Sequence, residues 1–179
     1  MIPSFYQELC AWMQAETPLQ TIAGKQILTR TGETETKLYW IQDGAVQAIY
    51  ETGGAPQVIR LAYRGSIINA LPSFLSGTPS GFALQTLRKT QLHAISGSAL
   101  KERFLNTPER LDAYRALLEQ TIVQQNEREL DLLQPDPLVR YQRVYNRSPQ
   151  LFEEIPLRYI ASYLRMTPET LSRIRKFMI

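Results

Sequence analysis

The stretch IPLRYIASYLRMTPETLSRIRK, residues 155–176, decides the fold of the C-terminal third of the chain. It holds two short helical patterns separated by Arg165 and Met166, and Thr167 supplies a side-chain oxygen that caps the second helix just before Pro168. Apolar residues on both helices are spaced so that they face each other across the turn: Ile160, Ala161, Leu164, Leu171 and Ile174. Two helices that cross closely after so short a turn predict a helix-turn-helix.

The charge of this segment favours a polyanionic partner. Between residues 156 and 179 there are five basic residues and one acidic residue, so this segment carries more positive charge than the whole chain, whose net charge is +3. The basic residues are Arg158, Arg165, Arg173, Arg175 and Lys176, and the acid is Glu169. The second helix, residues 168–178, is therefore predicted to enter the major groove of double-stranded DNA.

Glu169 and Arg173 lie four residues apart on one face of that helix. They are the candidate base readers, because arginine pairs with guanine and glutamate accepts a hydrogen bond from cytosine. Four further side chains are placed for phosphate contacts, which position a protein on DNA. They are Arg158, Thr167, Thr170 and Lys176. The alternative is that Glu169 and Arg173 form an ordinary surface ion pair, worth about 0.3 to 0.5 kcal/mol.

The composition argues against several classes of function. One cysteine, Cys10, cannot form an intrachain disulfide or hold an ordinary iron–sulfur cluster. One histidine, His93, is too few for a cupin-like metalloenzyme, and we predict a strand residue with a satisfied ring rather than a haem ligand. No apolar run approaches the roughly 20 residues that span a bilayer. We expect a cytoplasmic protein that is not an enzyme, has no metal site or cofactor and contacts no membrane.

Residues 1–106 are predicted to form an N-terminal helix and a β-roll. Residues 2–16 place four apolar residues at helical spacing: Phe5, Leu9, Trp12 and Met13. From there to about residue 97, short alternating runs such as QILTR (26–30) and KLYWIQ (37–42) are cut by glycine turns, which is typical of an all-β roll or sandwich. Asp43-Gly44 lies between two such runs and is predicted to be the turn of a β-hairpin.

A long helix is predicted for residues 107–134. Thr107 caps it, Pro108 begins it, and Pro135 and Pro137 end it. A stripe of residues on one face of this helix recurs at intervals of three and four positions: Leu111, Tyr114, Leu118, Thr121, Gln125 and Leu132. Leu117 and Ile122 widen this stripe. The stripe would pack either on the chain's own β-roll or against the same helix of a second subunit, and the length of the helix favours the subunit seam.

The QPDP segment, residues 134–137, is interpreted as a boundary before a third unit, residues 135–179. This unit is predicted to hold a helix over PLVRYQRVYNR (137–147), then short SPQLFEE (148–154), and then the two helices of the helix-turn-helix. The chain is thus predicted to have an α+β fold.

The sequence resembles the Crp/Fnr transcription regulators, the relatives of the cyclic-AMP receptor protein, and especially their short bacterial branch. Residues 155–176 are similar to the family's helix-turn-helix, TIAGKQILTRTGETETKLYWIQDGAVQAIY (21–50) to the opening strands of its cyclic-nucleotide-binding β-roll, and residues 107–134 to its dimerisation helix. The resemblance implies a jelly-roll domain, a long dimerisation helix and a winged-helix-like DNA-binding domain. It also implies a homodimer on a palindromic operator, with RNA polymerase as a further partner.

The same resemblance places Glu169 and Arg173 at the family's base-reading positions. It places Arg158, Thr167, Thr170 and Lys176 at positions that approach phosphate. Two residues depart from the family pattern: Arg165 replaces the glycine usual in the turn, and Pro168 stands where some relatives carry a base-reading arginine. A non-glycine residue in the turn either takes a left-handed conformation at some cost or reshapes the turn.

The family's ligand pocket is degenerate in this sequence. Relatives that bind cyclic nucleotides use a Gly-Glu pair on the ribose and an Arg-Ser or Arg-Thr pair on the phosphate, whereas this chain has Asn69-Ala70 and Ser80-Gly81. A buried phosphate without a cation loses several kcal/mol of solvation. We therefore predict that the β-roll has an apolar interior and does not bind cyclic AMP in the usual way. The roll would instead bind another small effector or act only as a scaffold. The alternative function is a ligand-binding or protein-interaction module whose helix-turn-helix no longer reads DNA.

Overall fold

The computed structural model describes residues 4–51 and 53–178. Helix α1 (Phe5–Glu16) begins with a capping box, in which the Ser4 hydroxyl accepts from the Gln7 N–H and the Gln7 side chain accepts from the Ser4 N–H. Leu9 and Met13 are buried in one cluster with Phe104. The predicted N-terminal helix is confirmed from Phe5 onward, and residues 2 and 3 lie outside the described residues.

In the described residues, eight strands form two four-stranded antiparallel sheets that pack face to face. The strands are β1 (Gln20–Ile22), β2 (Ile27–Thr29), β3 (Lys37–Asp43), β4 (Ala45–Tyr50), β5 (Gln57–Tyr63), β6 (Ile67–Ile68), β7 (Ala83–Thr86) and β8 (Thr90–Ser96). Sheet A has the order β1-β8-β3-β6 and sheet B the order β2-β7-β4-β5. Residues of both sheets, including Ile41, Leu84 and Leu92, fill the core between them. The predicted β-roll is confirmed.

The Asp43-Gly44 step is not a hairpin, and that prediction was wrong. β3 pairs with β6 and β8 in sheet A, whereas β4 pairs with β5 and β7 in sheet B, so the chain changes sheets at Gly44. Gly44 has a φ of 98°, and a Cβ built there would lie 2.5 Å from Oγ1 of Thr90. The glycine lets the chain turn a corner in close contact with β8. The neighbouring hairpin instead joins β4 and β5 through the loop that contains Gly53.

Helices occupy the chain after β8. They are α3 (Gly97–Ala99), which continues into a π-helical turn (Leu100–Phe104), then α4 (Pro108–Leu133), α5 (Pro137–Arg147), α6 (Leu151–Glu154), α7 (Leu157–Tyr163) and α8 (Pro168–Met178). An additional short helix, α2 (Leu71–Ser76), follows β6. Thr107 Oγ1 caps α4 by accepting from the Arg110 N–H at 3.3 Å, and Asp136 caps α5 in the same way through Leu138. The long helix and the C-terminal helices are confirmed.

The C-terminal helices form a bundle with a core of their own, and this core is continuous with sheet B. It contains Tyr141, Phe152, Ile160 and Leu171, and its cluster extends to Ala45 of β4 and to Leu87, which follows β7. No strand follows Ser96 in the described part of the chain, so residues 135–178 are entirely helical; because the sequence predicts that this unit binds DNA, we call it the DNA-binding-like unit. Within the described residues no helix is long and apolar enough to cross a membrane.

His93 of β8 is a buried strand residue with a satisfied ring, as the sequence predicts. Its Nδ1 lies 3.0 Å from the carbonyl oxygen of Thr17 and its Nε2 lies 3.2 Å from Oε1 of Gln42. The ring also stacks on Trp40, with centroids 5.4 Å apart. Both ring nitrogens therefore have structural partners.

Candidate DNA-binding surface and two neighbouring cavities

Helices α7 and α8 form a tight helix-turn-helix. Leu171 of α8 is fully buried in one cluster with Ile160, Ala161 and Leu164, and Ile174 packs against that cluster. These are the apolar contacts that the sequence predicts across the turn. Because the inner face of α8 is fixed in this way, its outer face is held in one orientation.

Arg165 adopts the left-handed conformation expected of the glycine that it replaces, with a φ of 55°. The turn closes with backbone bonds, and the Met166 N–H donates to the Ala161 oxygen at 3.0 Å. The departure at Arg165 therefore leaves a helix-turn-helix in place, with some backbone strain at this residue.

The candidate base readers lie on the exposed face of α8. Glu169 and Arg173 are both exposed, and no ion pair joins them in the described structure. The structure therefore does not form the surface salt bridge that was the alternative to base reading. Backbone N–H groups at the start of α8 lower the pKa of Glu169, and the Thr167 hydroxyl lowers it further. Glu169 is thus an acceptor of hydrogen bonds at neutral pH.

The candidate phosphate contacts surround these two residues. The hydroxyls of Thr167 and Thr170 lie 3.1 Å apart at the start of α8, and the Thr170 N–H donates to Thr167 at 3.2 Å. Arg158 lies near the start of α7, where its guanidinium stacks over the Tyr159 ring at 4.7 Å and donates to the Tyr159 hydroxyl at 2.9 Å. Lys176 is exposed near the other end of α8. The structure thus carries all six predicted side chains on α7, α8 and their turn.

Strand β5 holds the helix-turn-helix against the β-roll. The Val58 N–H donates to the Ser162 hydroxyl at 3.1 Å, and the Val58 oxygen accepts from Nη2 of Arg128 at 3.3 Å. The Arg165 guanidinium donates to the Gln57 side chain. These contacts join residues about 70 to 108 positions apart, so no local sequence pattern could have predicted them.

Glu154 of α6 makes a second connection to the β-roll. Its two carboxylate oxygens accept from Arg64 and Arg88, each at 2.9 Å. Arg64 and Arg88 follow β5 and β7 respectively. The DNA-binding-like unit is therefore connected to the roll by charge as well as by apolar packing.

Asp131 connects the long helix to the DNA-binding-like unit. It lies in the last turn of α4 with its side chain 2% exposed, and it accepts from Nε of Arg143 at 2.7 Å and from the Arg147 guanidinium. The hydrogen bond to Asp131 raises the pKa of Arg147. Arg143 also pairs with Glu127 at 3.1 Å. Sequence reasoning missed this cluster, although Arg143 and Arg147 are four apart on one face of α5.

The first cavity, about 520 Å³, lies between the β-roll and α4, and we call it the roll–helix cavity. Helix α4 contributes Tyr114, Leu117, Leu118 and Thr121, and the roll contributes Asn69 and Arg60. Asn69 is buried, and its Nδ2 has no hydrogen-bond partner among the described residues. The core between the two sheets is apolar, as the sequence predicts for the interior of the roll, whereas this cavity outside that core is lined by the charged Arg60 of β5.

The other three residues of the degenerate pocket line neither this cavity nor the next one. Ala70 is fully buried just before α2. The Ser80 hydroxyl donates to the Phe82 oxygen at 2.7 Å, and Gly81 has open space around it. Val58 and Ala62 on either side of Arg60 are buried, but the pairing of β5 with β4 shifts register between Val58 and Arg60, so strand alternation alone does not place Arg60 on the face of Val58.

A second cavity, of about 470 Å³, lies where sheet B, α4 and the C-terminal helices meet, and we call it the junction cavity. Its polar lining includes Arg60, Gln124, Arg128, Arg147, Ser148 and Tyr163. Arg60 lines both cavities. Among the described residues no cluster of His, Cys, Asp and Glu side chains is arranged to hold a metal ion.

Three solved structures illustrate what this architecture is similar to. FixK2 from Bradyrhizobium japonicum superimposes with a TM-score of 0.75 at 16% sequence identity, covering 90% of this chain and 84% of that one. The c-di-GMP-responsive global regulator CLP from Xanthomonas campestris gives 0.64 at 16% identity, covering 95% and 89%. A CRP-family transcriptional regulator from Thermus thermophilus gives 0.63 at 14% identity, covering 89% and 83%. The chain has the Crp/Fnr fold. No protein-family model matches the sequence, and no curated protein matches it.

Within this Crp/Fnr fold, helix α4 has two apolar faces. Tyr114, Leu117, Leu118 and Thr121 face the roll–helix cavity, so this part of the predicted stripe packs on the chain's own roll. Other apolar side chains of α4 are exposed: Leu111, Ile122, Val123, Leu130 and Leu133. The second face is available to a partner, and the two packing alternatives drawn from the sequence concern different faces of one helix.

Proposed function

We propose that the protein is a sequence-specific DNA-binding transcription regulator of the Crp/Fnr family, with α8 as the recognition helix. The observation that carries this proposal is the exposed polar face of α8, held on α7 by the buried Leu171. The fold shared with proteins described as a global regulator and as a transcriptional regulator supports it. The proposed regulator is not an enzyme.

In this proposal Glu169 and Arg173 contact base edges in the major groove. Each good contact of this kind discriminates against a wrong base by about 1 to 3 kcal/mol. Arg158, Thr167, Thr170 and Lys176 contact phosphates, which add affinity without sequence information and make binding dependent on salt. The exposure of all these residues except Thr170, which is half-buried, supports this division of roles.

We further propose that the protein acts as a homodimer through the exposed apolar face of α4. Val123, Leu130 and Leu133 lie three to seven residues apart on this face, spacing that suits pairing of two copies of the helix. A two-fold dimer would place two α8 helices in successive major grooves about 34 Å apart, so the operator would be an imperfect palindrome. RNA polymerase remains a predicted further partner.

The β-roll is proposed to act as a sensor or scaffold that does not bind cyclic AMP in the usual way. Asn69 replaces a residue of the family's ribose-binding pair, and Ser80 replaces the phosphate-binding arginine. Ser80 does not reach the roll–helix cavity. Titration calorimetry with cyclic AMP should show no micromolar binding, and such binding that is lost in Asn69→Leu would refute this part of the proposal.

The DNA-reading proposal is tested by selection of bound sequences from random DNA, followed by anisotropy measurements with two variants. Arg173→Ala should weaken binding by about 1 to 3 kcal/mol and relax one base position of each half-site. Lys176→Ala should weaken all sequences alike and reduce the salt slope by about one. Arg30→Ala, an exposed ion-paired arginine in a turn of the roll, is the control and should leave binding unchanged.

Recovery of only asymmetric or sequence-independent DNA would contradict the proposal. It would favour instead a ligand-binding or protein-interaction module, in which the contact of Arg165 with Gln57 holds the turn on the roll.

The dimer is tested by sedimentation velocity. Ile122→Asp places a charge on the exposed face of α4 and should convert the dimer to monomer, because an apolar seam does not tolerate a buried unpaired carboxylate. Leu75→Asp is the matched control, since Leu75 on α2 is 55% exposed, as is Ile122. A wild-type protein that is monomeric at micromolar concentration, or a dimer unaffected by Ile122→Asp, would refute the proposed seam.

A further inference from the structure

The junction cavity contains two arginine side chains whose charges are poorly compensated. Arg60 forms no ion pair in the described structure. Burial lowers the pKa of Arg60 despite the opposing influence of Tyr163, and the charge of Arg128 lowers it further. Removing a cation from water without a partner is unfavourable by several kcal/mol.

Arg128 is only partly compensated. Its guanidinium stacks over the Tyr163 ring at 4.8 Å and donates to the Val58 oxygen at 3.3 Å, but its buried Nε has no partner among the described residues. Burial lowers the pKa of Arg128 and the charge of Arg165 lowers it further, whereas Tyr163 and the Asp131 carboxylate oppose this lowering. A cation–π contact stabilises by about 0.5 to 2 kcal/mol, which is less than the solvation lost.

The other charged groups of the lining do not neutralise this pair. Arg147 is engaged by Asp131. Glu129 also lines the cavity, but it is exposed and forms no ion pair with either arginine in the described structure. The cavity therefore has an incompletely compensated positive charge at Arg60 and Arg128, beside hydrogen-bonding groups such as Gln124 and Ser148.

We infer that the junction cavity binds a small organic anion whose carboxylate or phosphate group lies between Arg60 and Arg128. The planar guanidinium pairs bidentately with both kinds of group. The volume of about 470 Å³ is in the range of small-molecule sites. Ile59, Leu61 and Leu151 provide an apolar wall for the body of the ligand.

The junction cavity borders the roll–helix cavity and shares lining residues with it, including Arg60 and Gln124, but the roll–helix cavity is lined by α1, the roll, α2 and α4 and by no residue after α4. The junction cavity is lined by β5, α4, α5 and Tyr163 of α7, so an anion in it contacts all three parts of the chain. Its binding would hold the helix-turn-helix in the docked position against the roll. This regulatory consequence rests on the proposed DNA-binding function, whereas binding of the anion itself does not.

The inference is tested on the full chain by thermal unfolding and titration calorimetry with benzoate, phenyl phosphate and inorganic phosphate, at an ionic strength kept constant with sodium chloride. At least one of these anions should raise the unfolding midpoint by about 3 to 6 °C at ten times its dissociation constant. A response to benzoate alone identifies a carboxylate ligand, and a response to the phosphates alone identifies a phosphate ligand. No shift with any of the three overturns the inference.

Variants distinguish this site from general anion binding. Arg60→Met and Arg128→Met should weaken binding of the anion at least tenfold. Arg30→Met, at an exposed position of the roll, should leave anion binding unchanged. Without added anion, Arg60→Met should unfold at the wild-type temperature or above, because it removes a half-buried charge that forms no ion pair in the described structure. A lower midpoint, or an anion response equal to that of the wild type, would assign Arg60 a structural role and overturn the inference. No DNA is present in these measurements, so their failure is separate from a failure of DNA reading.

Discussion

Replacing Asp131 by asparagine tests how the long helix is joined to the DNA-binding-like unit. The Asp131 carboxylate is 2% exposed and accepts hydrogen bonds from Arg143 and Arg147, whose side chains are 36% and 32% exposed. A charge-assisted hydrogen bond contributes about 1.5 to 3 kcal/mol, and the part-exposed arginines recover some hydration when it is lost. Asparagine keeps one acceptor oxygen. We therefore expect Asp131→Asn to lower the free energy of unfolding by about 2 kcal/mol.

A change of that size should lower the unfolding midpoint by about 4 to 8 °C in a chain of this length, as followed by circular dichroism. Asp112→Asn is the control on the same helix, because Asp112 is 71% exposed and pairs with Arg115 at 3.0 Å. Such exposed pairs contribute about 0.2 to 1 kcal/mol or nothing measurable. If Asp131→Asn and Asp112→Asn unfold at the same temperature, the buried carboxylate does not stabilise the junction and the reasoning is refuted.

Three further substitutions or reactions follow from burial and backbone geometry. Gly44→Ala should lower the free energy of unfolding of the roll by more than about 2 kcal/mol in urea titrations, because the φ of Gly44 is positive and the new Cβ would lie 2.5 Å from Thr90. Gly53→Ala is the control, because the space around Gly53 is open, and a smaller loss in Gly44→Ala than in Gly53→Ala would contradict this reasoning. Leu171→Ala should lower stability by about 2 to 5 kcal/mol, since the side chain is fully buried, and an unchanged urea midpoint would exclude the described core. Burial raises the pKa of Cys10, so at pH 8 a thiol reagent should react more slowly with the native protein than with the urea-unfolded chain. Equal reaction rates in the two states would show that the thiol is exposed in the native protein.

Local signals in the sequence predict most of the architecture. Caps such as Thr107 and Thr167 act within a few residues, and the apolar spacing from Ile160 to Leu171 describes two helices that contact each other directly. The same kind of signal fails at Asp43-Gly44. Aspartate and glycine indicate a turn, but they do not indicate which sheet the next strand joins, and that is decided by the pairing of β4 with β5 and β7.

The residues of the candidate site also differ in whether local sequence signals could place them. Residues on α7 and α8 could be placed from the sequence, because one turn orients both helices. Arg60 and the Asp131 cluster could not be placed from the sequence, because they depend on elements that are distant in the chain and meet only in the folded protein. The register shift in β5 between Val58 and Arg60 also interrupts the strand alternation that could otherwise have placed Arg60.

The attachment of the helix-turn-helix to β5 also covers part of a sheet edge. β5 is the edge strand of sheet B, and the outward peptide groups of Val58 are bonded by Ser162 and Arg128 instead of by another strand. An uncovered edge strand is a template for pairing with a strand of another molecule. Ser162 of the C-terminal unit and Arg128 of α4 therefore cover this edge at Val58, and we expect a state in which the C-terminal unit separates from β5 to be prone to intermolecular β-sheet aggregation.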